Sequence, residues 1–264
     1  MDSVASAKSS ADASAEIHVL ANTPAVLLLG GMGTRLRSVL PSTPKPLAPV
    51  GKKSFLELLI RQLRFQRISR LVMCTGYLAD QVEGVFGNGR DFDVAIEYSR
   101  ELQPLGTAGA IKLAREHLKD CSEFLVMNGD SFLEIDFAQL MQFHHRHGGL
   151  VSIAAVEVDN ARRYGTVMLD ADDRVTGFLE KTGDDHPGLI NAGVYVFNRS
   201  IFDWIPEGQA SLEREVFPRV LNQGVYALAH GGMFIDIGTP DDYVRAQELC
   251  DRLYEMAISR KDAH

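Results

Sequence analysis

The sequence predicts an α/β fold built on a mixed, mostly parallel central sheet, and three observations carry that expectation. From Pro24 onward, short aliphatic or β-branched runs alternate with segments of helical periodicity, the order of a parallel-rich sheet. After Val158 the spacing changes to that of a hairpin, so an antiparallel portion joins the sheet in the second half. The 264 residues are 45% hydrophobic and 23% charged, a composition able to bury a sizeable core without cross-links.

The elements follow in order. A first strand is expected over 25–29 and a helix over 55–67, followed by strands over 70–75 and 94–98. Ala108, Ile111, Ala114 and Leu118 line one face of a helix expected over 107–118, which leads into a strand over 124–128. A helix over 137–147 and a long strand over 150–158 come next. The hairpin pairs 166–170 with 174–179 across an Asp172-Asp173 turn, and further strands span 189–197, 225–229 and 233–236. Thr239, Pro240, Asp241 and Asp242 open a last helix with a capping hydroxyl, a first-turn proline and acidic residues in sequence. The stretch 1–22, rich in Ala and Ser, is expected to be a disordered tail, leaving 23–264 as a single domain. Phe202, Trp204 and Phe217 are expected to pack a second-half insertion.

Composition also excludes. Twenty-seven Lys and Arg against 35 Asp and Glu give a formal charge of −8, which disfavours nucleic acid and anionic membranes as partners. No apolar run approaches the roughly 20 residues of a membrane helix. Cys74, Cys121 and Cys250 are scattered and odd in number, fitting a reducing, cytoplasmic setting better than disulfides or zinc. His144, His145 and His147 read as a polar helix terminus rather than a metal site.

The strongest chemical signal is the loop after the first strand, Leu29-Gly30-Gly31-Met32-Gly33-Thr34-Arg35-Leu36, with Pro44-Lys45-Pro46-Leu47-Ala48-Pro49-Val50 beyond it. Glycines after a parallel strand let backbone N–H groups close on phosphate oxygens, and Arg35 and Lys45 add fixed cations. Neither the dinucleotide fingerprint nor the Walker-A spacing matches. Asp130 and Asp236 each end a strand, where ligands of open α/β sheets bind, and two such carboxylates suit Mg²⁺.

These motifs resemble the signature of the sugar-1-phosphate nucleotidylyltransferases. The resemblance continues through Pro104-Leu105-Gly106-Thr107-Ala108-Gly109-Ala110, Asn128-Gly129-Asp130, Tyr164-Gly165, Glu180-Lys181, Asn191-Ala192-Gly193-Val194-Tyr195 and the stretch from Phe234 to Pro240, covering about 25–249. It implies a Rossmann-like, three-layer α/β/α nucleotidyltransferase fold, a nucleoside triphosphate and a sugar 1-phosphate as substrates, and Mg²⁺ as cofactor. Arg35 and Lys45 would be catalytic. Leu29, Gly30, Gly31, Gly33, Thr34, Gln103, Gly106 and Thr107 would bind the nucleotide, and Asp130 and Asp236 the metal. The sugar phosphate, held by the region of about 150–235, would meet Asp130, Tyr164, Gly165, Glu180, Lys181 and Asn191.

Within the family the short chain, the Pro104–Ala110 motif and the Phe234–Pro240 ending look most like guanylyltransferases acting on D-glycero-α-D-manno-heptose 1-phosphate, and no left-handed β-helix domain is expected. Mannose 1-phosphate with GTP, or glucose 1-phosphate with dTTP or UTP, are the alternatives. Gln103 stands where guanine-selecting relatives often carry a carboxylate, so GTP preference is expected to be modest. A catalytically silent regulatory subunit is the reading from another class, and retention of Arg35, Lys45, Asp130 and Asp236 argues against it. A second copy of the chain is compatible with the sequence as a partner.

Overall fold

The computed structural model describes residues 19–258 apart from 32, 34, 37 and 180–182. In chain order the strands are β1 (Ala25–Leu28), β2 (Pro49–Val50), β3 (Lys53–Ser54), β4 (Arg70–Thr75), β5 (Ala95–Arg100), β6 (Glu123–Asn128), β7 (Ser131–Leu133), β8 (Val151–Val158), β9 (Thr166–Leu169), β10 (Val175–Leu179), β11 (Gly188–Asn198), β12 (Val225–His230) and β13 (Phe234–Asp236). Nine of them form one sheet in the order β10-β9-β11-β6-β1-β4-β5, with β8 also against β11 and β12 outside β8. Seven strands of that sheet (β1, β4, β5, β6, β8, β9 and β12) run one way, while β11 and β10 oppose them. The sheet is therefore mixed and mostly parallel.

Alternation along β1 explains the layers. Ala25 and Leu27 face a core that includes Phe55, Leu59 and Leu63 of the helix Phe55–Phe65, whereas Val26 faces another that includes Ala108 and Ile111 of the helix Gly106–Leu113. A strand covered on both faces must be apolar at successive positions, and Ala25, Val26 and Leu27 are all fully buried. Helices thus cover both faces of the sheet, giving the three-layer α/β/α arrangement.

The segment expected over 107–118 divides into the α-helix Gly106–Leu113 and a 3₁₀ turn, Ala114–Leu118. The helices Ala79–Phe86 and Cys250–Ala257, and the short strands β2, β3 and β7, are additions to the predicted set. Leu20 is 2% exposed and joins the core, and Thr23 donates to the Val19 carbonyl at 2.9 Å, so packing begins before the boundary expected at residue 22. Residues 1–18 of the expected tail lie outside the described residues. In the insertion, Phe202 and Phe217 are buried, but Trp204 remains 37% exposed and is not a core residue.

The histidines divide as well. His144 is buried and its Nδ1 meets Ser152 Oγ at 2.9 Å, whereas His145 reaches Glu123 at 2.7 Å from the surface. The polar-terminus reading therefore fails for His144: the spacing Phe137, Leu140, Met141, His144 is one apolar helix stripe.

Candidate active site

The glycine loop leaves β1 at the carboxyl end of the parallel strands, beside β6 on one side and β4 on the other. A cavity of about 470 Å³ opens there, and Gly30, Gly31, Gly33, Gly106, Thr107 and Asp130 are among its walls. Gly33 and Gly106 have φ of 56° and 70°, values that strain any residue with a Cβ, and a Cβ at Gly106 would also strike the Ala210 carbonyl. Leu29 does not line this cavity: it is buried, and its N–H already donates to the Cys74 carbonyl at 2.9 Å. Thr107 lines the cavity, but its hydroxyl accepts from the Leu212 N–H at 2.8 Å. Thr34 lies outside the described residues, and Arg35 is exposed.

Gln103 is exposed and does not line the cavity; the carboxylate of Glu101 does. The chain doubles back after Glu101, because the Leu105 N–H donates to Glu101 Oε2 at 2.9 Å. That bond turns Glu101 inward, across Gly30 and Gly76, where a Cβ on either glycine would collide with it. Burial pushes the Glu101 carboxyl up, and the Leu105 N–H opposes the shift. A signal for Glu101 existed, an acidic residue near the Pro104-Leu105-Gly106-Thr107 motif, but only the turn decides which side chain faces in.

Asp130 follows β6, and Asp236 closes β13. The small antiparallel pair β7–β13 sets Asp236 opposite Ser131, and the Ile237 N–H donates to the Asp130 carbonyl at 2.9 Å. One hydroxyl reports how near the carboxylates are, since Ser131 Oγ lies 3.3 Å from Asp130 Oδ1 and 3.5 Å from Asp236 Oδ2. Lys45, in the 3₁₀ turn Lys45–Leu47, reaches Asp130 Oδ2 with Nζ at 2.5 Å. Burial, then the Asp130 charge, push the Asp236 carboxyl up, while Lys45 and the Gly238 N–H, 2.6 Å from Asp236 Oδ1, pull it down. Asp130 and Asp236 are legible in the sequence as strand-end carboxylates, whereas Ser131 carries no such signal.

Beyond Asp236 lies a second cavity of about 810 Å³, with Tyr164, Arg163, Asp242 and exposed Glu157 and Asp159 on its walls. Arg163 clamps this wall. It donates to both oxygens of Asp242, at 2.5 and 2.9 Å, and to the Tyr164 hydroxyl at 3.1 Å. Burial is the main reason the Tyr164 phenol is pushed up to about 12. Gly165 lies beside β10, close to the Leu179 carbonyl. Asn191 sits at a bulge of β11, where the register against β8 shifts between Asn191 and Val194. Glu180 and Lys181 lie outside the described residues.

The donor set fits a hard divalent cation. Two carboxylates converge with a hydroxyl, and among the described residues no group of three or more His, Cys, Asp or Glu is arranged to hold a metal ion by itself. Mg²⁺ suits such a site, because it takes one or two carboxylates and keeps waters and phosphate oxygens as its other ligands.

Comparison with known proteins gives the family. Residues 24–252 match the nucleotidyl transferase family, and the chain belongs to that family. It is 40% identical over 225 residues to the mannose-1-phosphate guanylyltransferase of Mycobacterium tuberculosis, a match covering 84% of this chain and 62% of that relative. It is 37% identical over 226 residues to the D-glycero-alpha-D-manno-heptose 1-phosphate guanylyltransferase of Aneurinibacillus thermoaerophilus, covering 85% of this chain and 96% of that one. The crystal structure of HddC from Yersinia pseudotuberculosis complexed with GMP-PN superposes with a TM-score of 0.77 at 34% identity, covering 86% of this chain and 98% of that chain. The match thus spans less than two thirds of the Mycobacterium tuberculosis relative's length and nearly all of the Aneurinibacillus thermoaerophilus relative's.

Proposed function

We propose that the protein is a sugar-1-phosphate guanylyltransferase, which joins the GMP portion of GTP to a sugar 1-phosphate and releases pyrophosphate. D-glycero-α-D-manno-heptose 1-phosphate is the favoured acceptor and GDP-heptose the product, as in bacterial surface polysaccharide synthesis in the cytoplasm. The observation that carries the reading is the grouping of Lys45, Asp130 and Asp236 between two cavities, one walled by the glycine loop and the other by Tyr164.

In the reaction a phosphate oxygen of the sugar 1-phosphate attacks the α-phosphorus of GTP. A new P–O bond forms, the bridge to the β-phosphate breaks, and pyrophosphate leaves with the electron pair. The nucleophile is already an anion, so no general base is required, and the protein's tasks are alignment and charge stabilisation. Gly30, Gly31 and Gly33 bring backbone close to the triphosphate, Arg35 steadies the leaving pyrophosphate, and Lys45 stands between the reacting phosphates. Asp130 and Asp236 would hold Mg²⁺, which neutralises phosphate charge. Tyr164, Gly165, Glu180, Lys181 and Asn191 take the sugar phosphate. Glu101 offers guanine what Gln103 was expected to lack, a carboxylate that accepts from N1–H and the exocyclic amine together.

The 37% identity to the heptose relative supports heptose 1-phosphate as the acceptor. The 40% identity to a mannose-1-phosphate guanylyltransferase keeps mannose 1-phosphate as the second reading. Pyrophosphate release, measured for GTP, dTTP and UTP against heptose, mannose and glucose 1-phosphates, tests both. The highest kcat/KM should belong to GTP with the heptose; a dTTP or UTP preference would remove the guanylyl assignment.

A further inference from the structure

Tyr164 meets the segment that carries Asp236 twice. Its ring lies edge-on to Phe234, with centroids 5.9 Å apart, two residues before Asp236 on β13. Its hydroxyl accepts from Arg163 Nη2 at 3.1 Å, and Arg163 Nη1 donates to Thr239 Oγ1 at 3.1 Å, three residues after Asp236. Asp236 is thus bracketed by two contacts to one tyrosine, the first direct and the second through a guanidinium. Arg163, Tyr164, Phe234, Asp236 and Thr239 all line the second cavity.

The guanidinium is largely spent on the protein. Nη1 donates to Thr239 and to Asp242 Oδ2, and Nη2 to Asp242 Oδ1 and to Tyr164, which leaves Nε–H uncommitted among the described residues. Asp242 also balances the charge of Arg163, and it is held in turn by Thr239, whose hydroxyl donates to Asp242 Oδ2 at 2.5 Å while capping the helix Pro240–Glu248. Arg163 is therefore poorly placed to take a phosphate itself. Its effect falls on Tyr164. A guanidinium can only donate, so the phenol oxygen accepts that bond and keeps its own proton for another partner, on the wall of a cavity. The elevated pKa of the phenol keeps that proton in place at neutral pH.

We infer that Arg163 is a positioning residue for the sugar 1-phosphate: it orients the Tyr164 hydroxyl to donate to an oxygen of that substrate, and it fixes this donor relative to Asp236. The inference rests on the proposed place of the sugar 1-phosphate beside Tyr164. A lysine at position 163 could pair with Asp242, but its ammonium lacks the planar fork that reaches Asp242, Thr239 and Tyr164 together.

Steady-state kinetics with GTP and heptose or mannose 1-phosphate test this. Y164F retains the ring against Phe234 and removes only the hydroxyl. Y164F and R163M should each raise the KM for the sugar 1-phosphate roughly tenfold, with the KM for GTP within about twofold of wild type, and R163K should recover part of the loss. In R163M combined with Y164F the KM for the sugar 1-phosphate should rise by less than the product of the single effects, because Arg163 acts through the hydroxyl. Equal increases in both KM values, a loss confined to kcat, or multiplicative effects in the double variant would overturn the inference, and Y164F decides the matter if R163M does not fold. Absence of wild-type turnover with every sugar 1-phosphate would overturn the activity reading together with it; wild-type turnover with unchanged KM in Y164F would overturn the inference alone.

Discussion

Single side chains divide the labour sharply, and four substitutions separate their roles. Asp130→Asn and Asp236→Asn each remove a charge from the pair that would hold the cation, and both should lower kcat by two or more orders of magnitude, as expected when phosphate charge is left uncompensated. Melting temperatures close to wild type must accompany that loss. For base choice, Glu101→Gln should reduce kcat/KM for GTP by roughly ten- to hundredfold, the worth of a charge-assisted bond, and narrow the preference over dTTP and UTP. Gln103→Glu, at an exposed position outside the cavity, should leave the ratios unchanged. A GTP preference that follows residue 103 instead of residue 101 would reverse the assignment. The same pair shows the limit of what sequence reveals: a carboxylate near the Pro104-Leu105-Gly106-Thr107 motif is legible as chemistry, but which side chain faces the cavity depends on one hydrogen bond, from the Leu105 N–H to the Glu101 carboxylate.

Among the elements, legibility follows length and capping. β4 and the helix Phe137–His147 occur over the residues predicted, the helix opened by Asp136 accepting from the Ala138 N–H. The helix Ala79–Phe86 is preceded by Leu78 in a left-handed conformation with no side-chain cap, so no starting signal precedes it. β7 is three residues long and gains its meaning only from β13, which lies about a hundred positions further along. The bulge of β11 is another feature visible only in three dimensions. Gly193 has φ of 74°, and a Cβ there would run into the Asn128 side chain. Gly193→Ala should destabilise the protein by about 1–3 kcal/mol in urea unfolding and raise the KM for the sugar 1-phosphate, since Asn191 sits on the same bulge. Unaltered stability would show that the bulge adapts without strain.

At the scale of the whole molecule, one buried imidazole makes folding sensitive to acid. Burial is the largest influence on His144 and pushes it down to about 4 from an ordinary 6.5, against the opposing charge of Glu123. The native state therefore keeps His144 neutral where the unfolded chain would protonate it. Its contribution is complete above pH 6.5 and is lost as pH falls toward 4. Between pH 7 and pH 5 the wild type should lose on the order of 2 kcal/mol more unfolding free energy than His144→Gln. Parallel losses in the two proteins would assign the acid sensitivity to other groups.

The ion pair between Lys45 and Asp130 has a further consequence for the protein between turnovers. Two neighbouring carboxylates would strain an empty site, and at 2.5 Å the ammonium of Lys45 acts as a resident counter-ion for one of them. On that reading the fold should not depend on the supply of divalent metal, unlike domains whose folding energy comes from the metal they bind. Chelation with EDTA should abolish turnover and leave the melting temperature in place, whereas Lys45→Met should make the melting temperature rise when Mg²⁺ is restored. On the proposed reading the lysine would have two occupations: a substitute cation in the absence of metal, and a partner of the reacting phosphates once triphosphate and metal take its place beside Asp130.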